Sequence, residues 1–129
     1  MIKNYQKWHK LKTLINNQNI DIPYFRIQQI WWCSLGDNIG FEQDGKNSNF
    51  ERPVLILKKF SKDVLLIVPV TSSDKQGMYY YQFDYKDKKY SVILSQIKLI
   101  SSKRLLRKIR RIDDEDYKKI KKKFVKLLV

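Results

Sequence analysis

Two hydrophobic periods divide the chain. Near its start Tyr5, Trp8, Leu11, Leu14 and Ile15 recur at three- and four-residue steps with lysines between them, which predicts a helix over 2–17. The polar run Asn16-Asn17-Gln18-Asn19 ends that helix and Pro23 marks a linker. Residues 1–22 therefore read as an appended helix with its connector, and 23–129 as the main domain. A lone helix of this length is marginal in water, so it is expected to pack on the rest. From Phe25 the texture changes to strands. Ile27, Ile30, Trp31, Trp32, Cys33 and Leu35 form a first run, closed by Gly36-Asp37. A long polar loop, 38–51, follows, and loops of that length in small domains tend to carry function.

Two apolar runs come next, 54–57 and 64–70, joined by the polar link 58–63. After a turn around 74–77 come a strand pattern at 78–83, a short turn at 86–88, and a last pattern over 90–100. Five strands with short connections predict a mainly β fold: a small, strongly bent antiparallel sheet or partly closed barrel. The end of the chain reads as helical. Ser101-Ser102 would cap a short basic segment over 103–111, and Asp113 would cap a second helix, with Asp116 in its first turn. Tyr117, Ile120, Phe124 and Leu127 give that second helix one apolar face.

Composition narrows the class. At 129 residues the chain can bury roughly two-thirds of its unfolded surface around one core. It is 43% hydrophobic and 13% aromatic, the make-up of a folding domain. The single cysteine, Cys33, has no intramolecular disulfide partner and no His or Cys neighbours at metal-ligand spacing. That favours a reducing cytoplasm and no structural metal. No stretch reaches the roughly 20 apolar residues of a membrane span, and the N-terminus lacks a signal-peptide core. The net charge of +14 is uneven: 52–129 hold 21 Lys/Arg against eight Asp/Glu, whereas 1–51 are nearly balanced. Such an excess concentrates polyanions, so nucleic acid is the first candidate partner and an acidic protein segment the second. A lysine-rich composition of the whole proteome is the bland alternative.

The residues restrict the chemistry further. The sequence has no phosphate-cradling GxxxxGK[ST], no GxGxxG after a strand and no HExxH. The one histidine, His9, lies on the polar side of the first helix, a poor place for a catalytic base. What remains is Arg52 before the first apolar run, Thr71 after the second, and the loop between them and the first strand. If the two runs are adjacent antiparallel strands, Arg52 and Thr71 become neighbours. A guanidinium offers a planar fork of donors matched to phosphate oxygens, and a hydroxyl can donate to the same group. Aimed at a pentacoordinate phosphorus, the pair would stabilise the transition state above the ground state. RNA carries its own nucleophile, the 2′-hydroxyl, and Glu42 is the loop carboxylate placed to act as a base. The same residues also fit a plain strand start, with Arg52 paired to Glu51 and Thr71 an ordinary strand residue.

In order along the chain stand Gly40-Phe41-Glu42-Gln43-Asp44-Gly45, Arg52-Pro53-Val54, Pro69-Val70-Thr71 and Ser95-Gln96-Ile97-Lys98. With the strand IWWCSLGD before them, these resemble the MazF/PemK family of toxin–antitoxin endoribonucleases, over about 27–125. The resemblance implies an SH3-like, partly open antiparallel barrel of the MazF/CcdB kind with added N- and C-terminal helices, forming a homodimer. It implies metal-independent cleavage of single-stranded RNA at short sequences, leaving a 2′,3′-cyclic phosphate and a 5′-hydroxyl, with no cofactor. The family's catalytic arginine, threonine and loop glutamate match Arg52, Thr71 and Glu42. Candidate RNA contacts are Gln43 and Lys46 in the loop, Ser72 and Ser73 after Thr71, Gln96 and Lys98, and Trp32 as a stacking surface. An acidic antitoxin would neutralise the toxin and, as is usual in such systems, bind DNA with it. The alternative is a non-catalytic barrel that grips a protein, as gyrase poisons of similar fold do, or nucleic acid. One departure stands out: eight residues, 44–51, separate Glu42-Gln43 from Arg52-Pro53, more than the family pattern has.

Overall fold

The computed structural model describes residues 4–17, 23–36, 50–73 and 75–129. Glu42, Gln43 and Lys46 lie outside the described residues. The elements run α1 (Tyr5–Asn17), β1 (Gln29–Ser34), β2 (Glu51–Lys59), β3 (Val64–Thr71), β4 (Tyr80–Tyr85), β5 (Lys88–Ile93), β6 (Lys98–Ser101), β7 (Leu105–Arg111) and α2 (Asp114–Leu127). All seven strands join one antiparallel sheet in the order β4-β5-β3-β2-β1-β7, and β6 also pairs with β3. The mainly β, partly open barrel with a helix at each end is therefore present.

β3 explains why the sheet bends. One of its edges pairs with β2, while the other pairs with β6 over its first half and with β5 at Val70 and Thr71. The sheet is buried on both sides, so β2 and β3 read as continuous apolar runs and not as alternation. Val54, Ile56, Leu65 and Ile67 join Trp31, Cys33, Ile100 and Leu105 in one core. Leu55, Leu57, Val68 and Val70 join Ile30, Phe83, Val92 and α2's Tyr117 and Ile120 in the other. The hairpin β4–β5 turns at Lys86 and Asp87, whose φ of 49° and 62° are the left-handed pair that a two-residue turn requires.

Two expectations need correcting. The segment 103–111 is not helical: after a single 3₁₀ turn (Ser102–Arg104) it becomes β7, which pairs along β1. Local signals favoured a helix, but β1 has an open edge whose backbone groups need partners, and tertiary pairing outweighs propensity. The pattern over 90–100 is likewise two strands, β5 and β6, split by a 3₁₀ turn at Leu94–Gln96. The sheet thus has seven strands, not five. Asp113 does occupy the cap position of α2 but makes no side-chain capping bond, and Asp116 accepts instead from the Tyr81 hydroxyl at 2.7 Å. The predicted apolar face of α2 is the one that packs, with Phe124 and Leu127 at its margin.

The N-terminal helix docks through Trp8, Leu11 and Ile15, whereas Tyr5 and Leu14 face solvent. Trp8 lies against Phe50, with ring centroids 5.4 Å apart, and the Arg104 guanidinium sits 5.6 Å above its ring. It also covers Gly36, whose φ is +82°. Gly36 and Phe50 are the two ends of segment 37–49, joined by the Leu35 and Gly36 N–H groups donating to the Phe50 carbonyl at 3.0 and 3.1 Å. The helix therefore clamps the neck of segment 37–49, in which Glu42 falls.

Candidate active site

Register decides which side chains meet. Arg52 is the cross-strand partner of Cys33, and Val54 pairs with Pro69. Carrying that antiparallel register two residues further sets Arg52 beside Thr71. Directly opposed residues leave a sheet on the same side, so Arg52, Thr71 and Cys33 share one face. Lys98 is opposite Ile67, which lies in the same core as Cys33, so it shares that face too. Arg52 and Thr71 are both half-buried, accessible at the end of the sheet. The two sequence motifs that motivated a phosphate site are thus brought together.

Local structure fixes the pair. Glu51, buried beside Arg52 in sequence, has its carboxylate held by Arg107 through bonds of 3.2 and 3.1 Å. Arg107 also lies 5.1 Å over the Trp32 ring. This staple joins the start of β2 to β7 across β1. After Thr71, the fully buried Ser91 hydroxyl accepts from the Lys75 N–H at 3.0 Å and donates to the Ser73 carbonyl at 3.0 Å. The Thr71 Oγ1 accepts from the Ser73 N–H at 3.2 Å. A hydroxyl that accepts in this way keeps its own proton to give.

Cys33, packed beneath the site, is not a nucleophile. Burial pushes its thiol up to about 12, with Arg104 and Lys98 pulling only weakly the other way. Its thiolate, the reactive form, is therefore absent at neutral pH.

At this end of the sheet the structure forms a cavity of about 430 Å³. Of the candidate site residues, Trp32, Arg52, Thr71, Ser72 and Ser73 line it. Gln96 and Lys98 do not border it; Gln96 ends the 3₁₀ turn and Lys98 opens β6. The sequence reading missed Phe83, Tyr85, Tyr90 and Arg110, which also line it. The signal was present in the aromatic spacing of 83, 85 and 90, but assigning it required the pairing of Phe83 with Tyr90.

A family model described as PemK-like, MazF-like toxins of type II toxin–antitoxin systems matches residues 26–128. The chain belongs to this family. Its solved relatives agree in fold. MazF from Deinococcus radiodurans superposes with a TM-score of 0.66 at 18% identity, covering 84% of this chain and 98% of that one. MazE–MazF from the same organism gives 0.62 at 15% identity, over 84% and 97%. An endoribonuclease from a mycobacterial species, solved with its cognate antitoxin, gives 0.60 at 14% identity, over 81% and 95%. No curated protein sequence matches the chain. The family match begins at residue 26, so α1 precedes the part the toxins share.

Proposed function

We propose that this toxin-family chain is a metal-independent endoribonuclease that cuts single-stranded RNA at short sequences. The observation that carries the reading is the strand register that sets Arg52 and Thr71 side by side on one accessible face. In the proposed step the 2′-oxygen loses its proton and attacks the adjacent phosphorus. The bond from phosphorus to the 5′-oxygen breaks, leaving a 2′,3′-cyclic phosphate and a 5′-hydroxyl once that oxygen takes up a proton. Arg52 donates to the non-bridging oxygens as their charge grows, and Thr71 donates its hydroxyl proton to the same group. Glu42, in the segment whose neck α1 clamps, is the proposed base. Lys98, on the same face, adds positive potential for the RNA backbone.

The solved MazE–MazF complex supports an antitoxin partner for this chain, which we place as an acidic segment competing with RNA for the basic face. We further propose that the active toxin is a cytoplasmic homodimer. Among the described residues, no helix is long and apolar enough to cross a membrane. The experiment is cleavage of single-stranded RNA in EDTA by wild type, Arg52→Ala and Thr71→Val. Cutting by the wild type, with loss of about 10²–10³-fold in rate for Arg52→Ala, is expected for removal of a charge-stabilising donor. No cutting by the wild type, or equal cutting by the Arg52 variant, refutes the assignment.

A further inference from the structure

The cavity at the Arg52–Thr71 end of the sheet has an occupant-specific chemistry. Its walls are mainly rings and aliphatic side chains: Trp32, Phe83, Tyr85, Tyr90, Ile30 and Ile109. Its volume, about 430 Å³, lies in the range of pockets that hold small flat ligands. Two cations stand among these walls: Arg52, already assigned to the phosphate, and Arg110, with its guanidinium carbon 3.9 Å from the centre of the Tyr85 ring. That side chain is only 18% exposed, and its Nη1 is sealed from solvent with no hydrogen-bond acceptor among the described residues. Among the described residues, Nη2 approaches only the exposed Asp113 carboxylate, at 4.0 Å. A buried N–H without an acceptor is costly, and the cost is recovered when a ligand supplies one.

The one carboxylate lining the cavity is Glu51, and Arg107 already engages both of its oxygens. The wall therefore offers donors on a planar fork and stacking surfaces, with its carboxylate occupied. An apolar side chain entering the cavity would leave Nη1 unsatisfied. An adenine would bring an N6–H₂ donor that needs an acceptor. A guanine presents O6 and N7, two acceptors in the spacing that an arginine fork matches, on a ring that can stack.

We infer that this cavity receives an unstacked guanine of the RNA, with Arg110 reading its O6/N7 edge. The inference rests on the RNA-cleaving reading in one respect: Arg52 and Thr71 border the cavity, so the guanine would lie next to the bond being cut. Arg110 is a specificity-determining residue in this arrangement, and it takes no part in bond breaking.

The test has two arms. In the first, wild type and Arg110→Met are titrated with GMP, AMP, CMP and UMP, following the indole Nε1–H resonance of Trp32. GMP is expected to shift that resonance about tenfold more tightly than the other three, and Arg110→Met to abolish the preference. Arg110→Met keeps the stem that packs on Tyr85 and removes the unsatisfied donor, so its melting temperature should equal or exceed the wild type's. Arg110→Lys, which retains charge without the fork, should lose the preference as well. In the second arm, cut sites in a random RNA pool are sequenced. A guanine is expected at one position beside the cut for the wild type, and the base at that position is expected to vary freely among the cuts that Arg110→Met makes. Equal binding of the four nucleotides, or an unchanged cut-site guanine in the variant, overturns the inference. So does a Trp32 resonance that moves only with an acidic partner protein, which would assign the cavity to that partner's side chain. The nucleotide arm needs no cleavage, so an absence of RNA cutting alongside GMP-specific binding would sink the nuclease reading and leave the pocket standing.

Discussion

Replacing Gly36 with alanine should uncouple the added helix from the barrel, and the structure says by how much. A Cβ built on Gly36 falls 2.0 Å from Cε2 of Trp8 and 2.3 Å from its Cζ2. No real contact is that short, and the indole is wedged between Gly36, Phe50 and Arg104. The indole must therefore leave. The backbone adds its own cost, since φ is +82° and an L side chain in that region is disfavoured by roughly 1–2 kcal/mol. Trp8 is 6% exposed, and truncating a buried tryptophan costs about 3–5 kcal/mol. Gly36→Ala should then lose about 4–6 kcal/mol, a ceiling set by the full docking energy of α1, with Trp8→Ala alone losing about 3–5.

The double variant separates this account from general damage. If both substitutions break one contact, Trp8→Ala made in the Gly36→Ala background should cost almost nothing. The interaction energy would then equal the whole Trp8→Ala loss, about 3–5 kcal/mol, at or above the upper end for touching residues. Urea unfolding monitored by far-UV circular dichroism measures all four corners of the cycle. Additive losses, within about 0.5 kcal/mol, would show that Trp8 does not rest on Gly36 and would refute the clamp. Because Gly36 and Phe50 bracket the segment holding Glu42, the same variants should slow RNA cleavage more than they weaken RNA binding.

Arg107→Ala leaves the Glu51 carboxylate buried without its main partner; since Arg107 is half exposed, a loss of about 1–3 kcal/mol in urea unfolding is expected, and Glu51→Gln in that background should restore part of it. Gln28 is buried at φ 74° and donates from Nε2 to the Ile112 carbonyl at 2.7 Å and to Asp114 at 2.6 Å, so Gln28→Ala should cost about 2–3 kcal/mol by the same assay. The Gln28 bond, and then Arg111, hold the Asp114 carboxyl below its ordinary value. A depressed carboxylate favours folding above its unfolded value and loses that contribution as pH falls through the folded one, so melts below pH 4 should show wild type losing more than Asp114→Asn. At the alkaline end the sign reverses in cause but not in outcome. Cys33 ionises near 9 when unfolded and is pushed up to about 12 by burial, so stability should fall as pH rises above 9, less steeply in Cys33→Ala.

The sequence disclosed those parts of the fold where one signal acted alone. β2 and β3 were legible because a strand buried on both faces must be apolar throughout, and α2 because Tyr117, Ile120, Phe124 and Leu127 repeat at helical spacing. β7 was not legible. Its residues Leu105–Arg111 are rich in arginine and lysine, and only Leu105 is buried, so neither period stands out. Its strand identity comes from the vacant edge of β1, a fact about the assembled sheet and not about the segment. The site divided in the same way. Arg52 and Thr71 flank legible strands, so their meeting followed from pairing alone. The cavity wall did not, because Tyr85 and Arg110 come from opposite ends of the strand order and meet only when the sheet curls.

That curl also changes what the net charge means. A surplus of arginine near the C-terminus reads, in one dimension, as a uniform attraction for polyanions. In the structure the arginines of β7 and the turn before it have separate duties. Arg104 donates to the Ser34 carbonyl and covers Trp8. Arg107 holds Glu51 against Trp32. Arg111 grips Asp114 at 2.8 Å and reaches Gln28. Each of these fastens β7 to a neighbouring element, so their charge is largely neutralised or directed inward, and their removal should appear first as lost stability. Arg110 differs: it is stacked and mostly buried, yet among the described residues its donors have only a distant, exposed carboxylate for company. A side chain held in place by a ring and left without an acceptor is pre-organised for something that arrives later. On a strand where the other arginines do structural work, that makes Arg110 the one whose loss should change which RNA is recognised while the fold stays intact.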